Sequence, residues 1–516
     1  MSRRALSLPL MALLLGAALA GCATQALQTA PQDAAAPWTP NDPPGGVGML
    51  SGERPPQDGT SPQATKVFAV PAEPQVAELQ PVPATVPGKA YGLADLIDVA
   101  QTQNPATRIA WQQARQAALA TGMVEASFLP FISANVIGGY QKLSTPLPVP
   151  LPGVNSLSNE VSGVSPQIAL QWLVFDFGQR AALHETARQN ANASNILFNG
   201  VHQKIIYDVT RAYFLYGAAR SRVTIAEQNL ANSRRIEEAA QSRMANGLGT
   251  TVEVAQARQQ VAQARFGLVQ SQGGERDAYQ ALLGAMGVSP LAQIRVREAN
   301  GRALPESVGA PTERMIKAAL VQRPDVLASF SALKASEAGI TAAQAEFAPK
   351  VFLGAVAATG NTSLSATGLP TIGQQSSASG FMMGATMPLY DGGLRAARLK
   401  GAESLADASQ ATFQKVRDAA AREIVVAADT LRSALASYRA ATELASAAAV
   451  TYDAAFDAYK NGLGTITAAT VADSGLITAR QAKTDAHAAS LVAAANLAFV
   501  LGAMTSADMA GGLLAR

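Results

Sequence analysis

The sequence predicts a mainly α fold with a membrane β portion, built from two copies of one plan: helix, strand pair, long helix, helix. Three observations predict it. Of the 516 residues, 48% are hydrophobic but only 5% are aromatic, because alanine supplies much of the apolar content and is the strongest helix former. The second half of the chain repeats the first at a nearly constant offset. Four segments of about ten residues alternate apolar and polar side chains, the length a β-strand needs to cross a bilayer.

The amino terminus, residues 1–21, reads as an export signal. Arg3 and Arg4 give a basic start, and "LSLPLMALLLGAALA" is an apolar core too short to remain as a membrane helix. It ends in Leu19-Ala20-Gly21-Cys22, which resembles a bacterial lipobox: cleavage before Cys22 leaves a terminus that carries diacylglycerol and palmitate. A chance cysteine after an ordinary signal is the other reading. Cys22 is the only cysteine in the chain, so no disulfide framework exists. Ala23 follows it rather than aspartate, which by analogy addresses the protein to the outer membrane, where several acyl chains anchor stably. Apart from that lipid no cofactor is expected.

Residues 22–90 read as a tether. Thirteen of the 28 prolines fall between Pro31 and Gly88, without apolar periodicity, so the segment buries too little surface to offset its ordering entropy. A cell-wall contact is the alternative. Losing Arg3 and Arg4 takes the formal charge from +3 to +1, which leaves no electrostatic footprint for nucleic acid.

The repeat organises the rest. Ile97 pairs with Ile316, Pro105 with Pro324 and Pro130 with Pro349, each 219 positions apart; Asp176 pairs with Asp391, Gly178 with Gly393 and Arg180 with Arg395, each 215 apart. The difference lies in a longer proline-rich loop of the first copy, "LSTPLPVPLPGV". The first repeat is placed at 91–290, a linker at 291–311, the second repeat at 312–505 and a tail at 506–516.

Each half carries a segment of about 65 residues without proline, which as a helix is roughly 100 Å long. In the second, Ile424, Ala427, Leu431, Ala434, Tyr438 and Ala441 recur at alternating spacings of three and four; Ala219, Val223, Ala226 and Leu230 do so in the first. That is a coiled-coil seam, and small alanines on it require several neighbours. Both long segments end in Asn-Gly-Leu-Gly-Thr, at Asn246 and Asn461. Glycines that tolerate positive φ, followed by a capping Thr250 or Thr251, end a helix, reverse it and restart it.

Near the other end of the long segments lie the strands. In "VSPQIALQWLVF" Ile168, Leu170, Trp172 and Val174 share one face; in "FISANVIGGY" Ile132, Val136 and Tyr140 do. "KVFLGAVAATG" and "GFMMGATMPLY" complete four. Four strands cannot close alone, since small barrels need about eight, and an open edge in lipid leaves backbone groups unpaired. A membrane role therefore requires several copies of the chain. A soluble sheet capping a helical bundle is the other reading.

The doubled Asn104-Pro105 and Arg323-Pro324 helix starts, the proline-led strands, the "FDFG" and "YDGG" turns and the paired tips together resemble the TolC-type outer-membrane efflux proteins, and the lipobox resembles their lipoprotein subgroup. The resemblance implies a homotrimer with a twelve-stranded β-barrel in outer-membrane lipid and a periplasmic α-barrel, with an equatorial belt near residues 298–311 and the tail. It implies an exit duct of a tripartite efflux or type I secretion system, fed by a periplasmic adaptor (membrane fusion) protein and an inner-membrane transporter of RND or ABC type. Carried over by position, the adaptor-contact residues are Arg243, Asn246, Gly247, Leu248 and Gly249 in one tip and Tyr459, Asn461, Gly462, Leu463 and Gly464 in the other. For Arg243 a solvated charge complementing the helix dipole is the equal alternative. Some relatives carry a carboxylate ring just past the second tip; here Ala468 and Val471 stand there, and only Glu253, after the first tip, is an equivalent candidate for a tunnel-entrance acid.

Enzyme readings lack a constellation. His184, His202 and His487 have no ligand spacing; "DFG" at Asp176–Gly178 stands without the other kinase motifs; and no Walker sequence is present, so energy must come from a partner. Met382, Met383 and Met387 suggest either soft-metal export or strand packing. The rival from another class is a lipid-anchored structural coiled coil of the envelope.

Overall fold

In the computed structural model the chain divides into two units, residues 1–80 and 81–516. The described residues are 74–79, 82–83, 86, 88–151, 154–297, 304–305, 308–365 and 372–504. The expected signal peptide, Cys22, most of the tether, part of the 291–311 linker and the tail lie outside them. The first unit contains a 3-10 turn, Pro74–Ala77; the elements below belong to the second.

The first repeat comprises α1 (Leu93–Gln103), α2 (Pro105–Ala126), β1 (Phe131–Leu151), β2 (Val154–Phe175), α3 (Gln179–Ala245) and α4 (Thr251–Met286). The second comprises α5 (Glu313–Leu320), α6 (Pro324–Ala345), β3 (Lys350–Ser365), β4 (Ile372–Thr386), α7 (Leu394–Lys460) and α8 (Ile466–Val500). Pro105 and Pro324 open α2 and α6 because proline suits the first helical position, and Asn104 caps α2 by accepting from the Ala106 amide at 2.9 Å. The long helices α3 and α7 have 67 residues each, about 100 Å at 1.5 Å per residue.

Both long helices start on one device. The Asp176 carboxylate accepts from the Arg180 amide at 2.9 Å and from its Nε at 2.8 Å, and Arg180 donates onward to the Ser127 carbonyl at 2.9 Å. Asp391 and Arg395 repeat the pair at 3.1 and 2.7 Å. Each guanidinium also covers a ring, Phe128 at 4.8 Å and Phe347 at 5.1 Å. This ties the strand end, the short helix and the long helix of each repeat together.

The strands run antiparallel in the order β1-β2-β3-β4, with Phe131 opposite Gln171, Trp172 opposite Leu353 and Leu353 opposite Met383. They have 21, 22, 16 and 15 residues, longer than the expected ten. Much of the expected proline-rich loop continues β1. Pro146, Pro148 and Pro150 fall in an edge strand at a register irregularity between Pro146 and Leu151, where missing ladder amides are tolerated.

The expected closed barrel is corrected. Four strands form an open sheet in which β1 and β4 each keep an unpaired edge, because four twisted strands are too few to bring their edges together. The helices do not close a tunnel either: they pack side by side in the order α4, α3, α8, α7, with α2 and α6 against α3 and α6 also against α7. Among the described residues no helix is long and apolar enough to cross a membrane.

Two cores hold this arrangement. One gathers Leu96 of α1, Val209 and Phe214 of α3, Leu283 of α4 and Leu491 of α8. The other lies beneath the tips and joins Ile236 of α3, Val254 of α4, Phe456 and Tyr459 of α7 and Leu476 of α8. The seam residues Ile424, Ala427, Leu431 and Ala441 are buried, as are Ala219, Ala226 and Leu230.

Candidate functional site: the paired helical tips

Each tip ends its long helix in the same way. Asn246 closes α3 and Gly247 takes φ +74°. The Leu248 amide then donates to the Arg243 carbonyl at 2.8 Å, and the Gly247 amide to the Met244 carbonyl at 3.0 Å. In the second tip Asn461 precedes Gly462 at φ +78°, with Leu463 to Ala458 at 2.8 Å and Gly462 to Tyr459 at 3.1 Å. These bonds satisfy carbonyls that a helix end leaves open. Gly249 and Gly464 let the chain return closely: a Cβ on Gly249 would stand 3.0 Å from the Met244 nitrogen, and one on Gly464 3.1 Å from the Tyr459 nitrogen. Thr250, not Thr251, caps α4, and Thr465 caps α8, each hydroxyl accepting an amide three residues on at 3.2 Å.

The structure brings the two tips together through three side chains. Arg243 donates from Nη1 to the Tyr459 carbonyl and from Nη2 to the Leu248 carbonyl, both at 3.1 Å, and its guanidinium lies 5.2 Å from the Tyr459 ring centre. Tyr459 is fully buried and donates its hydroxyl to Glu253 Oε2 at 3.4 Å. Burial, then the Glu253 carboxylate, push the Tyr459 phenol above its ordinary range, so it stays a donor at neutral pH. Arg243 thus binds the Tyr459 carbonyl in the last turn of α7 and the Leu248 carbonyl in the turn that follows α3, a cation beside the C-terminal ends of both helices, where it complements the dipoles.

Leu248 and Leu463 are left exposed at the two apexes, at 69% and 87%, with Asn246 and Asn461 beside them. Ala468 and Val471 are exposed and uncharged. Cys22 lies outside the described residues.

The sequence reading missed Asp473. It is fully buried on α8 and accepts from Asn232 Nδ2 at 3.1 Å and Ser233 Oγ at 3.3 Å, both on α3. The available signal was a carboxylate beside Ala472 on the buried stripe Ile466, Ala469, Ala472, Leu476. The α3–α8 interface continues through Gln228 with Arg480 at 2.8 Å and Arg222 with Asp485 at 2.7 Å.

Among the described residues no group of His, Cys, Asp and Glu is arranged to hold a metal. His184 meets Glu125 at 3.0 Å, His202 packs on Phe198 and His487 on Tyr438. Met382 and Met383 are consecutive in β4, so they point to opposite faces and form no joint site.

The chain matches the family described as outer membrane efflux protein over residues 96–288 and 315–503. It is 26% identical over 390 residues to Protein CyaE of Bordetella pertussis, covering 75% of this chain and 79% of that one. It is 27% identical over 347 residues to Outer membrane protein OprJ of Pseudomonas aeruginosa, covering 66% and 70%. Crystal structures of CusC superpose with a TM-score of 0.67 at 21% identity over 79% of this chain and 91% of that one, a likeness of fold.

Proposed function

The chain belongs to the outer membrane efflux protein family, and from that premise we infer that it is the outer-membrane exit duct of a tripartite efflux or secretion system, passively conducting substrate that an inner-membrane pump delivers. It is a channel component and not an enzyme. The observation that carries this is the extent of the family match, whose two stretches fall on the two halves of the internal duplication.

The finer reading is a lipid-anchored homotrimer that meets a periplasmic adaptor at its tips and, through it, a transporter of RND or ABC type. Self-association is supported by the two unpaired sheet edges. Adaptor contact is supported by the exposed Leu248 and Leu463 on twin turns of one construction, two equivalent apolar contacts for a partner. Lipid on Cys22 is supported by the "LAGC" sequence. Cargo is set by the pump, because a wide water-filled duct selects little.

The test is reconstitution of the full-length protein in planar bilayers. Stepwise ion conductance from a cross-linkable trimer is expected; a non-conducting species over a range of protein concentrations sinks the reading.

A further inference from the structure

Asp473 is a buried carboxylate without an ion-pair partner among the described residues. Its two hydrogen bonds come from neutral donors on α3, Asn232 and Ser233. From α7, Tyr452 enters the same core with its hydroxyl buried and unpartnered. The charged groups around this layer are Arg235 on α3, which lies over the Phe456 ring at 4.7 Å, Asp453 on α7, and Arg480 on α8, which is bonded to Gln228. Helix α4 adds the apolar Val254 and Ala257 to this core. The layer sits about two turns into α8 and fastens the second hairpin, α7 and α8, to the first.

We propose that Asp473 is a proton-binding clamp: protonated, it holds the second hairpin against α3, and its ionisation, with release of the proton to solvent, loosens that joint and lets the tips part. The opening step rests on the reading of the tips as the inner end of the duct. The clamp itself follows from burial. An unpaired carboxylate is expensive to keep charged away from water, whereas the protonated acid carries no charge into the core and its carbonyl oxygen still accepts from α3.

Burial raises the Asp473 carboxyl above its ordinary range, against the opposing pull of Asn232, Ser233 and Arg480. Burial also lifts the Tyr452 phenol to about 12, with the Asp473 charge adding to it, so Asp473 is the group that titrates. The folded chain holds this proton more tightly than an unfolded one. The joint is therefore firmest below the ordinary carboxylate range and weakens as pH rises through the raised value.

The test compares the full-length protein with Asp473→Asn, which keeps the shape but cannot ionise, and Ser233→Ala, which removes a donor to the carboxylate. Hydrogen exchange of residues 466–480 is followed between about pH 4 and 8, corrected for intrinsic rates, alongside bilayer conductance. Wild type is expected to speed up severalfold across one titration step, Ser233→Ala to shift that step to higher pH, and Asp473→Asn to remain flat. Parallel profiles for wild type and Asp473→Asn, or an unmoved step in Ser233→Ala, overturn the clamp. An exchange step without conductance at any pH leaves the clamp standing and removes the duct; conductance without a step does the reverse.

Discussion

Gly462 combines two constraints on one Cα. Its φ of +78° is a conformation that side chains disfavour, and a Cβ there would approach Arg243 Nη1 to 3.0 Å. Gly462→Ala is expected to destabilise the tip by about 1–2 kcal/mol, read as faster hydrogen exchange over residues 455–465. Gly247 carries a similar φ of +74° but has open space around its Cβ, so Gly247→Ala should show the backbone cost alone. Tyr459→Phe removes only the hydroxyl bonded to Glu253 and should cost about 1 kcal/mol, whereas Arg243→Ala removes two carbonyl contacts and the ring contact and should cost more. The tip glycines were legible in the sequence because turn chemistry is local. The partner of Arg243 was not: the Tyr459 carbonyl it binds is 216 residues away.

At the scale of elements, the Asp-Arg device at the start of each long helix is sensitive to acid. Hydrogen bonding by Arg395 holds the Asp391 carboxyl below its ordinary range. At Asp176 burial pulls upward, but the Arg180 and Gly178 bonds outweigh it and the carboxyl is again lowered. A lowered carboxyl contributes stability that is present above its unfolded value and lost as pH falls through the folded one. The starts of α3 and α7 are therefore expected to fray only in acid, below about pH 3.9, measurable as site-resolved exchange; Asp391→Asn should abolish that acid step and leave α7 frayed at neutral pH. Within the same turns Phe177 has φ +53° where the second repeat has Gly392 at +67°. Phe177→Gly relieves about 1–2 kcal/mol of strain but loses an edge contact with Phe175 at 4.8 Å, worth about 0.5–1.5 kcal/mol, so thermal stability should hardly move. The helices were readable from periodicity and the absence of proline over 65 residues. The strand ends were not, because proline reads as a loop unless the strand is known to lie at an edge.

For the whole molecule, the clasp of Arg243, Tyr459 and Glu253 and the links along α3 and α8 make the two hairpins of one chain a single bonded unit at the tips. If flow passes this end, Arg243→Ala combined with Tyr459→Phe should raise bilayer conductance severalfold over wild type. An unchanged conductance with loosened tip exchange would place the constriction elsewhere. Relief of the clasp should leave the strand end untouched, since Arg180 and Arg395 secure that region separately.

By itself the sequence determined the duplication, the two long helices, their glycine-bounded tips and the alternating strands, since capping, turn geometry and side-chain periodicity depend on residues within a few positions of each other. Only the tertiary structure decided that Arg243 spans two tips, that Asp473 is sealed between α3 and α8, and that the four strands stay open. Each depends on how long elements are aligned, and a shift of one residue turns a helical side chain by about 100° and advances it about 1.5 Å, enough to move a buried group into water.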